Sequence, residues 1–244
     1  SVIAECAVST AIVFIAARFE STANVDFPYI ARQVINQIGY EQHAFNAKTC
    51  SILTSLKDLP SEGHYSFNEK ELSDDEIDLI PAKNQVTLFG FACNQTAALM
   101  PLPIWLAHKL ARRLTSVRLK KILSYLAPDG KTQVGVEYKN GRPCRIHSIT
   151  VIASQGRPET SGGPDLKKLR GDIRETVIQP VFQDEAVMAD ENTRIFINPD
   201  GPFILGGPSI HSGLTGRKNA IDTYGEYSRQ SGAALSGKDP LRID

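Results

Sequence analysis

The chain has 244 residues, of which 41% are hydrophobic, 7% aromatic and 22% charged, with 18 Gly and 14 Pro. That composition excludes a disordered or fibrous protein, and at this length folding buries about 70 to 75% of the surface exposed by the unfolded chain. Lysine plus arginine number 27 against 27 aspartate plus glutamate, a balance that argues against a dedicated binder of nucleic acid or anionic membrane.

Cys6, Cys50, Cys93 and Cys144 are far apart and lack the C-x-x-C spacing of a zinc or redox site, so they read as reduced thiols of a cytoplasmic protein. The apolar opening Val2 to Phe19 contains Glu5, Ser9, Thr10 and Arg18. It is neither a membrane span nor a signal peptide, and reads as buried β-strand. Asn24-Val-Asp-Phe-Pro28 opens a helix with apolar Ile30, Val34 and Ile38, and Gly39 ends it. Cys50 to Leu56 is a further strand, which gives a strand, helix, strand order and a mixed α/β unit. From Ser61 to Asp78 seven acidic residues face one lysine, the pattern of a solvated connection or a lid.

Val86 to Ala92 carries a strand signal. Pro101-Leu-Pro103 then starts a long helix with Ile104, Ala107, Leu110, Ala111, Leu114 and Val117 on its buried stripe. Lys109, Arg112, Arg113, Arg118, Lys120 and Lys121 form its solvated face. Pro128-Asp-Gly130 marks a turn into an alternating strand, Thr132 to Tyr138, and Lys139-Asn-Gly-Arg142 turns back into a strand from Arg145 to Ala153. Pro164 to Val181 is a second amphipathic helix with Leu166, Leu169, Ile173, Val177 and Ile178 on one side. The fold class is α/β, with repeated units of mixed sheet covered by helices, although the units share no visible sequence.

The last fifth changes character. Eight glycines from Gly201 to Gly237 are interleaved with Arg217, Lys218, Lys238 and Arg242. Glycines allow close backbone approach to a ligand and cations stabilise phosphate oxygens, so the segment suits a polyphosphate as well as ordinary turns with surface charge. No Walker A motif occurs.

Ile197-Asn-Pro-Asp-Gly-Pro-Phe-Ile-Leu-Gly-Gly-Pro208, Gly213-Leu-Thr-Gly-Arg-Lys218, Asp222-Thr-Tyr-Gly225 and Ser236-Gly-Lys-Asp-Pro240 follow one another in order. With Phe89-Gly-Phe-Ala-Cys-Asn-Gln-Thr96 and Pro128-Asp-Gly-Lys-Thr-Gln-Val134 they resemble the successive motifs of the methionine adenosyltransferases, the S-adenosylmethionine synthetases. The resemblance runs from Ala4-Glu5 to Asp244. It implies a three-repeat fold of which this chain holds residues 1–58 of an N-terminal repeat, an acidic lid at 59–79, a central repeat at 80–201 and the start of a C-terminal repeat at 202–244. By that comparison the chain is truncated at both ends.

The resemblance also implies the activity: methionine and ATP give S-adenosylmethionine, and the triphosphate is cleaved to pyrophosphate and phosphate. It assigns Asp129, Gly130, Lys131, Pro202, Phe203, His211, Arg217, Lys218, Ala234 and Lys238 to ATP, with Lys131, Arg217, Lys218 and Lys238 as the catalytic cations. Arg18, His211 and Arg242 fall at methionine positions, Asp244 at a Mg²⁺ ligand and Glu5 at a K⁺ ligand. The implied assembly is a homodimer, or a dimer of dimers, with its sites between subunits.

Several positions depart from the family pattern. No residues correspond to its N-terminal H-P-D-K, and Pro81-Ala-Lys-Asn84-Gln-Val86 replaces G-A-G-D-Q-G. Arg18 stands where a glutamate binds the methionine amine, Pro202 where an arginine precedes the stacking ring, His211 where an aspartate contacts substrate, Gly156 where histidine follows Ser154-Gln155, and Asp58-Leu-Pro60-Ser where the family's lid has glutamine-serine-proline-aspartate. These changes remove negative charge around methionine and spare the phosphate-binding cations. They point to a divergent active branch, with a catalytically silent, nucleotide-binding partner subunit as the alternative.

Overall fold

In the computed structural model the described residues are 2–42, 44–58, 69–79, 87–156, 163–183, 185–187, 189–204 and 206–238. Two mixed sheets and their helices are tied together by the C-terminal segment.

The apolar opening is two strands, not one: β1 (Val2–Ser9) turns at Thr10 and Ala11 into antiparallel β2 (Ile12–Phe19). Thr10 takes φ +50 there. The segment α1 (Phe27–Ile38) then crosses to β5 (Ser51–Asp58), which lies parallel to β2, with a short hairpin of β3 (Glu41–Gln42) and β4 (Phe45–Asn46) in the connection. The sheet order is β5-β2-β1-β9, with β9 (Gly213–Leu214) supplied by the C-terminal segment.

Alternation along β2 buries Val13, Ile15 and Ala17 and exposes Ile12, Phe14 and Arg18. The buried face packs with Ile35, Phe45 and Cys50. Helix α1 begins as expected, with the Asp26 carboxylate accepting from the Tyr29 N–H at 2.9 Å. Its buried stripe is a different one, however. Ile35 is buried and Phe27 and Ala31 pack beside it, while Ile30, Val34 and Ile38 are exposed. Both triplets repeat at helical spacing, and which one the sheet covers is decided by the crossover and not by periodicity.

The second sheet has the order β6-β7-β8, formed by β6 (Leu126–Lys139), antiparallel β7 (Arg142–Gln155) and parallel β8 (Arg194–Ile197). Helix α3 (Leu102–Leu119) covers it, burying Leu102, Leu106, Ala107, Leu110, Leu114 and Val117 against Ile146, Ile149 and Val151. Ala111, expected on that stripe, is exposed. Pro128-Asp-Gly130 is not a turn before the strand but an irregularity within it, where the register shifts between Leu126 and Gly130.

Beyond β7, α4 (Leu166–Ile173) passes through a π turn at Arg174–Ile178 into α5 (Gln179–Phe182). Pro180 has no N–H to give the Thr176 carbonyl, and Arg113 Nε donates to that oxygen instead at 2.8 Å. The face of α3 expected to be solvated is thus partly engaged: Lys109 also pairs with Glu185, and Arg118 Nη1 donates to the Ile38 carbonyl at 2.7 Å.

Two other expectations change. Residues 87–92 form no strand; the Phe91 ring packs on Tyr224 and Tyr227, with centroids 6.2 and 5.7 Å apart, so ring contacts replace a ladder. The acidic connection ends in a short helix, α2 (Asp74–Asp78), with a capping box between Ser73 and Glu76. Residues 59–68 of the expected lid lie outside the described set. All four cysteines are free thiols, as expected.

Candidate functional site

The site is built on three pieces of backbone: the irregular start of β6, the loop after β8, and the glycine-rich segment that runs back to β1.

Asn198 sets the second piece. It is buried, and its side chain imitates a strand, accepting from the Ala153 N–H and donating to the Ala153 carbonyl, both at 2.9 Å. Its own N–H donates to the Val151 carbonyl at 3.1 Å. The chain is thereby held along β7 as far as Phe203, which bridges Ser154 and accepts from the Gln155 N–H at 2.9 Å. Ser154 Oγ in turn donates to the Asp129 carbonyl at 2.8 Å, locking β6 to the same platform. Asn198→Ala leaves a buried donor and acceptor of Ala153 unpaired, and urea unfolding should show a loss of about 2 kcal/mol or more.

The Asp129 carboxylate points at Gly206 and Gly207. A Cβ on Gly206 would lie 2.6 Å from Asp129 Oδ2 and 2.7 Å from Phe203 Cζ, and one on Gly207 would lie 2.7 Å from Tyr40 Cε1. Only a bare backbone fits between the carboxylate and the two rings. Burial pushes the Asp129 carboxyl up, while a hydrogen bond from Tyr40 and the charges of His211 and Lys131 pull it down. Asp129, Lys131, Phe203 and His211, all predicted from sequence, therefore share one neighbourhood with Gly130 and Pro202 beside them in the chain. Lys131 lies on the outer face of the sheet, paired with Ile152.

A second group gathers on β1. Pro208 accepts from the Thr10 N–H at 2.6 Å, and Gly213 and Leu214 pair with Val8 and Ala7. Thr215 is fixed to Cys6 in both directions: its N–H donates to the Cys6 carbonyl and its hydroxyl accepts from the Cys6 N–H, each at 2.9 Å. Gly216 then meets Ala234. Arg217 and Lys218 stand exposed just beyond, with Arg217 Nη1 donating to both oxygens of Ser212 at 3.0 Å. Lys238 bridges Ile3 and is 4% exposed in its side chain, with Nζ 3.7 Å from Glu5 Oε1. Residues 206–216 therefore join the Asp129 group to the β1 group.

Arg18 is exposed on the outer face of the first sheet, on the same side as Glu5 and beside Lys57, its register partner on β5. Arg242, Asp244, Asn84 and Leu205 lie outside the described residues. Among those described, no three His, Cys, Asp or Glu side chains converge as a metal cage. The Lys238 ammonium lies 3.7 Å from the exposed Glu5 carboxylate. The residues missed by sequence reasoning are Asn198, Ser154, Thr215 and Tyr40. Asn198, Ser154 and Thr215 lie within the segments quoted above, whereas nothing local marks Tyr40 beyond its place after the glycine that ends α1.

In this mixed α/β fold the Asp129 carboxylate and the Phe203 ring close on bare glycine backbone, and the ribbon 206–216 leads from there to the cations Arg217 and Lys218. Models described as the S-adenosylmethionine synthetase N-terminal, central and C-terminal domains match residues 1–60, 79–203 and 205–244. The chain belongs to the S-adenosylmethionine synthetase family. It is 46% identical over 255 residues to the S-adenosylmethionine synthase of Microcystis aeruginosa (strain NIES-843 / IAM M-2473). To that of Synechococcus sp. (strain JA-3-3Ab) it is 42% identical over 253 residues. Each match covers 100% of this chain and 61% of the relative, so the chain spans about three fifths of their length. Among the described residues no helix is long and apolar enough to cross a membrane.

Proposed function

We propose that the protein containing this chain is a methionine adenosyltransferase. It forms S-adenosylmethionine by attack of the methionine sulfur on ribose C5′ of ATP, then hydrolyses the triphosphate to pyrophosphate and phosphate. The observation that carries this is the ribbon 206–216, which joins the Asp129 and Phe203 platform to the cations at Arg217 and Lys218.

The chemistry explains the residue types. A thioether is nucleophilic without losing a proton, so no general base is required, and the barrier lies in the charge accumulating on the leaving triphosphate. Fixed cations lower it, each contact being worth about 3 kcal/mol by analogy with oxyanion donors. Phe203 stacks on adenine and Asp129 faces the nucleoside. Lys131, Arg217, Lys218 and Lys238 meet the phosphates.

Mg²⁺ and K⁺ belong to the reading, Mg²⁺ as counter-ion of the nucleotide and K⁺ as the ion proposed for Glu5. Lys238 lies 3.7 Å from that exposed carboxylate and Asp244 lies outside the described residues, so each step is assigned to side chains alone. Arg242 completes the proposed methionine subsite, in the cytoplasm.

The protein works as a homodimer. The outer face of the first sheet carries exposed Ile12, Phe14, Leu53 and Leu214, an apolar surface that a second copy would cover. Phe14→Asp should shift the mass measured by light scattering from dimer to monomer; an unchanged dimer would locate the contact elsewhere.

One observation favours a second reading. Arg18, at the position where the family resemblance implies a methionine-binding glutamate, stands beside Lys57, and two cations there suit a subunit that binds nucleotide without turning over. Incubating the full-length protein with ATP, methionine, Mg²⁺ and K⁺ and assaying S-adenosylmethionine and phosphate separates the two: ATP binding without product is the result expected of the silent subunit.

A further inference from the structure

Tyr40 stands on a piece of backbone that is fixed before its side chain is considered. Helix α1 ends in a Schellman turn, in which Gly39 at φ +89 donates its N–H to the Asn36 carbonyl at 3.0 Å and Tyr40 donates its own to the Ile35 carbonyl at 3.3 Å. Arg118 of α3 closes the same turn from outside through its bond to the Ile38 carbonyl, which places a cation at the negative end of the helix dipole. The Tyr40 ring then lies edge-on to Phe45, with centroids 5.4 Å apart at 81°. Gly207 also packs against it, since a Cβ there would lie 2.7 Å from Tyr40 Cε1. With these contacts the ring carries its hydroxyl to 3.4 Å from Asp129 Oδ1.

We infer that Tyr40 is a positioning residue for the nucleotide: its phenolic O–H donates to Asp129 and holds that carboxylate against the bare backbone of Gly206 and Gly207, beside Phe203. The inference rests on the proposed role of Asp129 in binding ATP. It brings a residue of the N-terminal unit into contact with a site whose other groups come from the central and C-terminal units.

The surroundings of the pair fix the sign of the effect. Burial pushes the Asp129 carboxyl up, and the Tyr40 hydrogen bond is the first of the contacts that pull it down, ahead of His211 from the loop beyond Gly207 and Lys131 from β6. Burial and the Asp129 charge push the phenol up to about 12, against the pull of Arg118, so it remains a protonated donor at every working pH. Without the hydroxyl, Asp129 keeps its burial and loses that contact. Its pKa then rises, and it takes up a proton at a higher pH than in the parent protein.

The test is Tyr40→Phe in the full-length protein, with the affinity for Mg·ATP measured by calorimetry between about pH 5 and pH 8.5. Phenylalanine keeps the ring against Phe45, and the Schellman turn is made by backbone, so the variant retains its fold. On the acid side the affinity of the variant should fall about tenfold below that of the parent, and near pH 8 by about threefold or less. In an Asp129→Asn background, Tyr40→Phe should add nothing. Parallel pH curves for parent and variant, or an equal Tyr40→Phe effect in the Asp129→Asn background, would overturn the inference while leaving ATP binding intact. Failure of the parent protein itself to bind ATP at any pH would overturn the ATP reading, and this inference with it.

Discussion

Lys131→Ala should lower the turnover of the full-length protein by about 100-fold, the loss expected when one fixed cation is removed from a developing oxyanion. The reaction proposed has no proton to abstract and no nucleophile to activate, so nearly all of its acceleration must come from charge placed against the leaving triphosphate. Lys131 follows Asp129 by two residues on β6 and is exposed on the outer face of the sheet, close enough to Asp129 for its charge to act on that carboxylate. Lys218→Ala should cost a similar factor from the other end of the ribbon. Because both cations act on the leaving group, the fall should be in kcat, with the KM for methionine changed little. Steady-state release of phosphate and S-adenosylmethionine checks this, and near-normal turnover of both variants would remove the assignment.

Gly216→Ala is the second large effect, and its cause is steric. Gly216 has φ +71, where an alanine costs about 1 to 2 kcal/mol on backbone grounds. A Cβ there would also stand 2.2 Å from Ala234 Cβ and 2.9 Å from Ala234 Cα, inside any tolerated contact. Either the loop that presents Arg217 and Lys218 or the irregular stretch through Ala234 must move. Loss of activity should therefore exceed the loss of stability. Melting temperature and ATP affinity on the same preparation check it: a modest drop in the first with an affinity weakened more than about tenfold is expected, and unchanged affinity would show that the loop does not hold phosphate.

Much of this could be read in the sequence where local chemistry decides the outcome. Lys139-Asn-Gly-Arg142 gave the β6–β7 hairpin because Asn140 and Gly141 accept positive φ, +52 and +75, as a tight two-residue turn requires. The stripe of α3 emerged because Leu110, Leu114 and Val117 have only one sheet to face. The motifs around Asp129, Phe203 and Gly216 were legible as a set, since a bare glycine beside a carboxylate or a cation is a local requirement.

What could not be read depends on contacts between distant segments. The strand signal at 87–92 gave way to the rings of Tyr224 and Tyr227, more than a hundred residues later. On α1 two apolar triplets repeat at helical spacing, and only the crossover decides that the sheet covers the one holding Ile35. Arg113 and Arg118 looked like solvated charge until their partners, the Thr176 and Ile38 carbonyls, were in place. Tyr40 reads as an ordinary residue after a helix, and its hydroxyl acquires a role only because Asp129, from another unit, lies opposite it.

The central claim is that the cations on the 206–218 ribbon and Lys131 drive adenosyl transfer from ATP to methionine. Its most direct test is the product formed when the full-length protein is given ATP, methionine, Mg²⁺ and K⁺. S-adenosylmethionine appearing together with one pyrophosphate and one phosphate per turnover is the predicted result. ATP bound or hydrolysed at a rate indifferent to methionine, with no S-adenosylmethionine, would contradict it.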